Sequence, residues 1–213
     1  MDILMVTGGR LDIDFLREIC SCDKYNYIIG VDKGNDSLEK LMIEPDMAVG
    51  DFDSIDKGLS ERYRRLKSSI VLNPVKDYTD THIAMEKAIE LKPDSITIVG
   101  ATGGRLDHLL GNLDILIHAV RAGVPAYILD ECNRIRLIDK SCVIKRSEQY
   151  GRYVSLLPYT ERVNGISLRG FAYNLEAASI IKGETIGISN EIREEEGFVS
   201  IEEGYLMVME TKD

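Results

Sequence analysis

Six aspartates stand where phosphate and metal chemistry would need them. In "VGDFDSI" (49–55) two carboxylates lie one residue apart at the end of an apolar run. On a strand, alternation puts Asp51 and Asp53 on one face and turns Phe52 to the other. Carboxylates so placed repel unless a cation lies between them, and magnesium takes one or two carboxylates plus water and phosphate oxygens. Asp32 in "VDKGN", Asp77 and Asp80 in "KDYTDT" and Asp107 in "GATGGRLDH" occupy similar positions between apolar runs and helical segments. Singly, each also has a structural reading. Asp77 or Thr79 would cap a helix beginning at 80, and Asp32-Lys33-Gly34 is a turn sequence.

"GATGGRLDH" is neither a Walker A loop nor G-x-G-x-x-G. Its glycines at 100, 103 and 104 still let backbone N–H groups approach an anion at a helix N-terminus, and Arg105 adds a fork of donors suited to phosphate. Helical spacing after it predicts a buried stripe of Leu106, Leu109, Leu110, Leu113, Ile117 and Val120. Arg105, His108 and Asn112 then share an adjoining polar face. These residues imply phosphate chemistry and leave the acceptor open.

The elements that must position them alternate. Apolar runs at 2–8, 25–32, 46–51, 69–74 and 95–101 are strand-like; 12–22, 35–42, 57–68, 80–91 and a long 105–123 are helical. This predicts an α/β N-terminal domain with a largely parallel sheet, over 1–128, and ligands then bind at the carboxyl edge of the strands. After Pro125 come short β-rich runs broken by Gly, Asn and Pro, including "AYILDE" and "TIGISNEI". They predict an all-β sandwich over 129–213.

The chain has 213 residues, a formal charge of −10 and a sequence pI near 4.9. Its basic residues are dispersed apart from "RYRRLK" (62–67), which argues against a nucleic-acid groove. An acidic chain can bind a nucleotide if divalent metal or local Arg and Lys offset the repulsion. No apolar run reaches the roughly 20 residues of a membrane span, and no leader pattern opens the sequence, so the expected location is cytoplasmic. Four scattered cysteines fit neither a disulfide framework nor paired zinc ligands.

Together, "VDKGN", "GDFDSI", "KDYTD", "GGRLDH" with "GNLDIL", and the late "GISNE" (187–191) resemble the bacterial thiamine pyrophosphokinase family, over residues 28 to 191 in the family's order. The resemblance implies a homodimer with the active site at the subunit interface, using ATP and Mg2+ to transfer a pyrophosphoryl group to the hydroxyl of thiamine. It implies Asp51, Asp53 and Asp80 as magnesium ligands, with Asp32 completing the acidic rim, and Lys76 and Thr79 beside the nucleotide. Arg105 becomes a phosphate clamp, Asp107 and His108 line the site with Asn112 on the same helix, and Ser189 and Asn190 contribute to the thiamine site. Two departures stand out: Lys33 replaces a glycine common after the motif aspartate, and the chain lacks the Trp that eukaryotic members stack on thiamine, so that stacking falls to Tyr173, Phe198, Tyr205 or another apolar residue, or is weaker. The alternatives are another magnesium-dependent pyrophosphokinase or phosphohydrolase, and a non-catalytic ATP sensor.

Overall fold

The structure is a computed structural model, and the residues described are 1–51, Gly58, 69–71 and 77–213. The chain forms two compact units, 1–130 and 131–213.

In the first unit, strands β1 (Asp2–Val6), β2 (Tyr27–Val31), β3 (Met47–Gly50), β4 (Ser69–Val71), β5 (Ser95–Val99) and β6 (Ala126–Leu129) form a parallel sheet in the order β4-β3-β2-β1-β5-β6. Ile3, Leu4, Met5 and Val6 are all buried, as expected for a parallel strand covered on both faces. Helix α1 (Ile13–Ser21) starts at Asp12, whose carboxylate accepts from the backbone N–H groups of Asp14 and Phe15 at 2.9 Å. Helix α2 (Gly34–Lys40) follows β2, and α3 (Asp80–Glu90) packs Ala84, Met85 and Ala88 into the core against β2 and β3. Thr79, rather than Asp77, caps α3 by accepting from the His82 N–H at 3.2 Å.

The long helix expected over 105–123 divides into α4 (Leu106–Asp114) and α5 (Leu116–Arg121). The ladder tightens there: the Ile115 N–H reaches Gly111 O, four residues back, but the His118 N–H reaches Ile115 O, three residues back. Leu106 and Leu110 are 73% and 61% exposed, and Asn112 is buried in the place of the expected leucine stripe.

The second unit contains two antiparallel sheets. One joins β7 (Asn133–Ile138), β13 (Leu206–Thr211) and β9 (Tyr153–Pro158); the other has the order β11 (Leu175–Ile181), β10 (Arg162–Arg169), β12 (Glu196–Ser200), β8 (Cys142–Lys145). Residues from both sheets, among them Ile144, Leu156, Ile166, Ile180, Val199 and Val208, share one apolar core, which makes the unit a β-sandwich. "TIGISNEI" is not a strand: Ser189 adopts φ 57° and interrupts it, leaving isolated bridges at Asn190 and Ile192. A strand without a clear sequence signal, β11 in "LEAASII", pairs instead with β10. "AYILDE" contributes β6 to the parallel sheet instead of opening the all-β half.

Candidate active site

Strand order in the first unit runs outward from β1 in one direction and from β5 in the other, so the crevice between the ends of β1 and β5 is the topological switch point. A cleft of about 340 Å³ opens there, lined by residues 7–10 after β1, Val31, Asp32 and Lys33 after β2, Thr81, Gly100, Ala101 and 103–105 after β5, and His108 and Asn112 of α4. That volume suits a small-molecule ligand. The loops after β1 and β5 are fastened by backbone bonds, Thr7 N–H to Val99 O (2.9 Å) and Gly9 N–H to Gly100 O (3.0 Å). The approach explains two glycines. A Cβ on Gly9 would lie 2.2 Å from Gly100 O, and one on Gly100 would lie 2.5 Å from Thr7 O.

Asp32 sits at the end of β2 in a left-handed conformation, φ 51°, which Asp tolerates better than most side chains. Its backbone is fixed on both sides: the N–H donates to Val49 O (2.9 Å), and its carbonyl accepts from Asn35 N–H (3.1 Å) and Asn35 Nδ2 (2.9 Å). Lys33 has φ −63°, so this position demands no glycine. Register pairs Val31 with Val49, placing Asp32 beside Gly50 with Asp51 one residue on. A Cβ on Gly50 would lie 3.1 Å from Asp32 Oδ1. Asp32 and Asp51 thus put short-chain oxygen donors at the ends of adjacent strands, a donor chemistry that fits magnesium. Asp80 opens α3 next to the cleft residue Thr81. Asp53 and Lys76 lie outside the described residues.

Arg105 and Asp107 meet across the start of α4. The guanidinium donates from Nε and Nη2 to the two carboxylate oxygens at 3.1 and 2.5 Å, and the His108 N–H donates to the same carboxylate at 3.0 Å. Arg105 is the main reason that the Asp107 carboxyl is held down to about 2, helped by the His108 amide. Asn112 donates from Nδ2 to Ala101 O (2.9 Å), pinning the glycine-rich loop from beneath. The structure therefore brings Asp32, Arg105, His108 and Asn112 to one cleft. Thr79 and Asp80 precede the lining residue Thr81, Asp107 lies between Arg105 and His108, and Asp51 follows β3 next to β2, but none of the four lines the cleft. The sequence reading overlooked Thr7 and Arg10, although Gly-Gly-Arg directly after the first strand was the available signal.

Ser189 and Asn190 belong to the second unit. The Ser189 N–H donates to Ser155 Oγ (3.0 Å). Asn190 is buried: its Oδ1 accepts from the N–H groups of Tyr173 (3.1 Å) and Glu191 (2.9 Å), and its Nδ2 donates to Tyr173 O (2.7 Å). The amide thus holds the backbone of Tyr173, whose side chain is 75% exposed. Of the other aromatic candidates, Tyr205 is half-buried edge-on against Tyr159, and Phe198 lies on β12 opposite Val143. Among the described residues, no helix is long and apolar enough to cross a membrane.

Comparison with known proteins places the chain in a family. "Thiamin pyrophosphokinase, catalytic domain" matches residues 21–128, and "Thiamin pyrophosphokinase, vitamin B1 binding domain" matches 141–206. The chain is 35% identical to thiamine pyrophosphokinase of Bacillus subtilis over 192 residues, covering 90% of each chain. The crystal structure of thiamine pyrophosphokinase from Bacillus subtilis superposes with a TM-score of 0.88 at 33% identity, covering both chains in full. That of thiamin pyrophosphokinase from Geobacillus thermodenitrificans gives 0.85 at 33% identity, covering 100% of this chain and 98% of its own.

Proposed function

This chain belongs to the thiamine pyrophosphokinase family, and we propose how its residues share the reaction. The reaction moves the pyrophosphoryl group of ATP to the hydroxyl of thiamine and yields thiamine diphosphate and AMP. The observation that carries the site-level reading is the switch-point cleft, which gathers Arg10, Lys33 and Arg105 with Asp32 around a glycine-rich loop. Phosphoryl-type transfer needs positioning and charge neutralisation more than covalent help, and this lining supplies both.

Arg10, Lys33 and Arg105 neutralise the triphosphate from the protein side, and Lys76 adds a cation beside the phosphates. Asp51, Asp53 and Asp80, with Asp32, would hold Mg2+, which when bound offsets the charge on the phosphate oxygens. Thr79 fixes Asp80 at the first turn of α3 by capping it. The thiamine hydroxyl oxygen attacks the β-phosphorus, and AMP leaves with the bridging oxygen. Asp107 takes up the hydroxyl proton late in that step. While Arg105 grips it Asp107 is a weak base, and its basicity rises toward the ordinary carboxylate range once Arg105 turns to the phosphate.

On the thiamine side, Tyr173 is the stacking residue, with Asn190 holding its backbone and Ser189 beside it. Its exposure supports this choice over Tyr205 and Phe198. The exposed pair Leu106 and Leu110, one turn apart beside the Arg105–Asp107 pair, supports a homodimer with the active site at the subunit interface. A cytoplasmic location accords with the reaction's use of ATP.

The test is incubation with ATP, magnesium and thiamine, with both product pools separated. AMP and thiamine diphosphate are expected in equal amounts. ADP with thiamine monophosphate, or no thiamine-dependent turnover, would reduce the resemblance to one of fold.

A further inference from the structure

Two of the chain's three histidines meet at one glutamate away from the cleft lining. His82 and Glu86 stand four residues apart on α3, hence on one face, and His118 comes from α5, which packs against it. His82 Nε2 lies 3.5 Å from Glu86 Oε1, and His118 Nδ1 lies 3.6 Å from the same oxygen. These separations exceed the useful range of a hydrogen bond, so the oxygen is shared by two imidazoles without being well bonded to either. They match another geometry. Ligands bound to zinc at about 2.0–2.2 Å in a tetrahedron stand about 3.4 Å apart.

All three ligand atoms lie within 4.8 Å of one another. The rings are already arranged: the His82 and His118 centroids are 4.5 Å apart, and the Tyr78 ring lies 4.6 Å from that of His82. His82 and His118 are half-buried, while Glu86 is exposed and leaves room for water as a fourth ligand.

We propose that His82, Glu86 and His118 bind a divalent transition-metal ion of the zinc class, separate from the magnesium of the reaction, and that the ion clips α3 to α5. Two imidazoles and one carboxylate select zinc, cobalt or nickel over magnesium, which prefers an all-oxygen shell. The clip braces the helix that begins at Asp80.

The test needs neither ATP nor thiamine, so its failure is distinguishable from failure of the catalytic reading. The chain carrying Cys20→Ser and Cys22→Ser is titrated with Co2+ in excess Mg2+, and visible ligand-field absorption is followed. One equivalent per chain is expected, displaced by Zn2+, and Zn2+ raises the thermal midpoint. His118→Gln and Glu86→Gln, each checked for folding by circular dichroism, should weaken Co2+ binding at least about tenfold and abolish the thermal shift. Loss of binding with the cysteine substitutions would place the metal on the C-x-C segment and overturn the proposal. So would absence of the band, or undiminished binding in whichever of the two variants folds.

Discussion

Arg105 and Asp107 neutralise one another across a single turn, and that pairing has a measurable signature. The Asp107 carboxyl should titrate near pH 2 by carbon-detected NMR, and Arg105→Ala should return it toward the ordinary value of 3.8. Because its folded value is depressed, the pairing favours the folded state above the ordinary carboxylate range and is lost as pH falls through about 2. Asp107→Asn should lower kcat more than it alters KM for ATP; unchanged turnover would remove Asp107 from the reaction. Asn190→Ala frees the Tyr173 backbone, so KM for thiamine should rise roughly tenfold or more while KM for ATP holds. Equal changes in both would mean that Asn190 serves the fold alone. Asp32, Arg105 and His108 were legible in the sequence because each stands at or just past a strand-to-helix transition, and Asn112 because it follows His108 at helical spacing. Arg10 was not, because the apolar run from residue 2 absorbed Thr7 and Gly8 into a strand and hid the turn behind them.

At the scale of elements, amphipathic spacing found α1, α2 and α3 but misplaced the face of the helix that matters most. In the sequence the leucines alone mark the buried stripe, but the buried face runs through Asn112, Leu116 and Ala119 at helical spacing, which leaves Leu106 and Leu110 outward while Ile117 is buried as expected. Asn112→Ala leaves the Ala101 carbonyl without its side-chain partner and should cost about 1–3 kcal/mol in urea denaturation. Leu110→Gln should leave the fold within about 0.5 kcal/mol of the parent and weaken self-association by light scattering. Gly9→Ala should be worse than either, by at least about 2 kcal/mol, because the added methyl meets the backbone oxygen of Gly100 rather than a side chain that can move. In the second half, composition alone located the β-sandwich. It could not locate β11, whose Glu176, Ala177 and Ala178 carry little strand signal and whose place is set by pairing with β10.

For the molecule as a whole, the second unit owes part of its integrity to a buried charge. Glu210 is 1% exposed on β13, takes two bonds from Arg134 on β7, at 3.0 and 2.5 Å, and accepts the Tyr150 N–H at 3.0 Å. Glu210→Ala removes both carboxylate bonds of Arg134, leaving its bond to Glu148 O, and should cost about 3 kcal/mol, the low end for such a pair because Arg134 is partly solvated. With two compact units, calorimetry rather than a single midpoint should be used to assign that loss to the second. The pairing of β1 with β5 has a further result, in time rather than in space. It joins residue 2 to residue 95, so one wall of the cleft is synthesised long before the other. At roughly 5–20 residues per second, the loop after β1 waits about 5–20 s for the loop after β5 to follow it from the ribosome. A nascent chain in that interval has no assembled cleft, so a ligand of that cleft, ATP in the reading proposed above, can assist folding of the first unit only near the end of its synthesis.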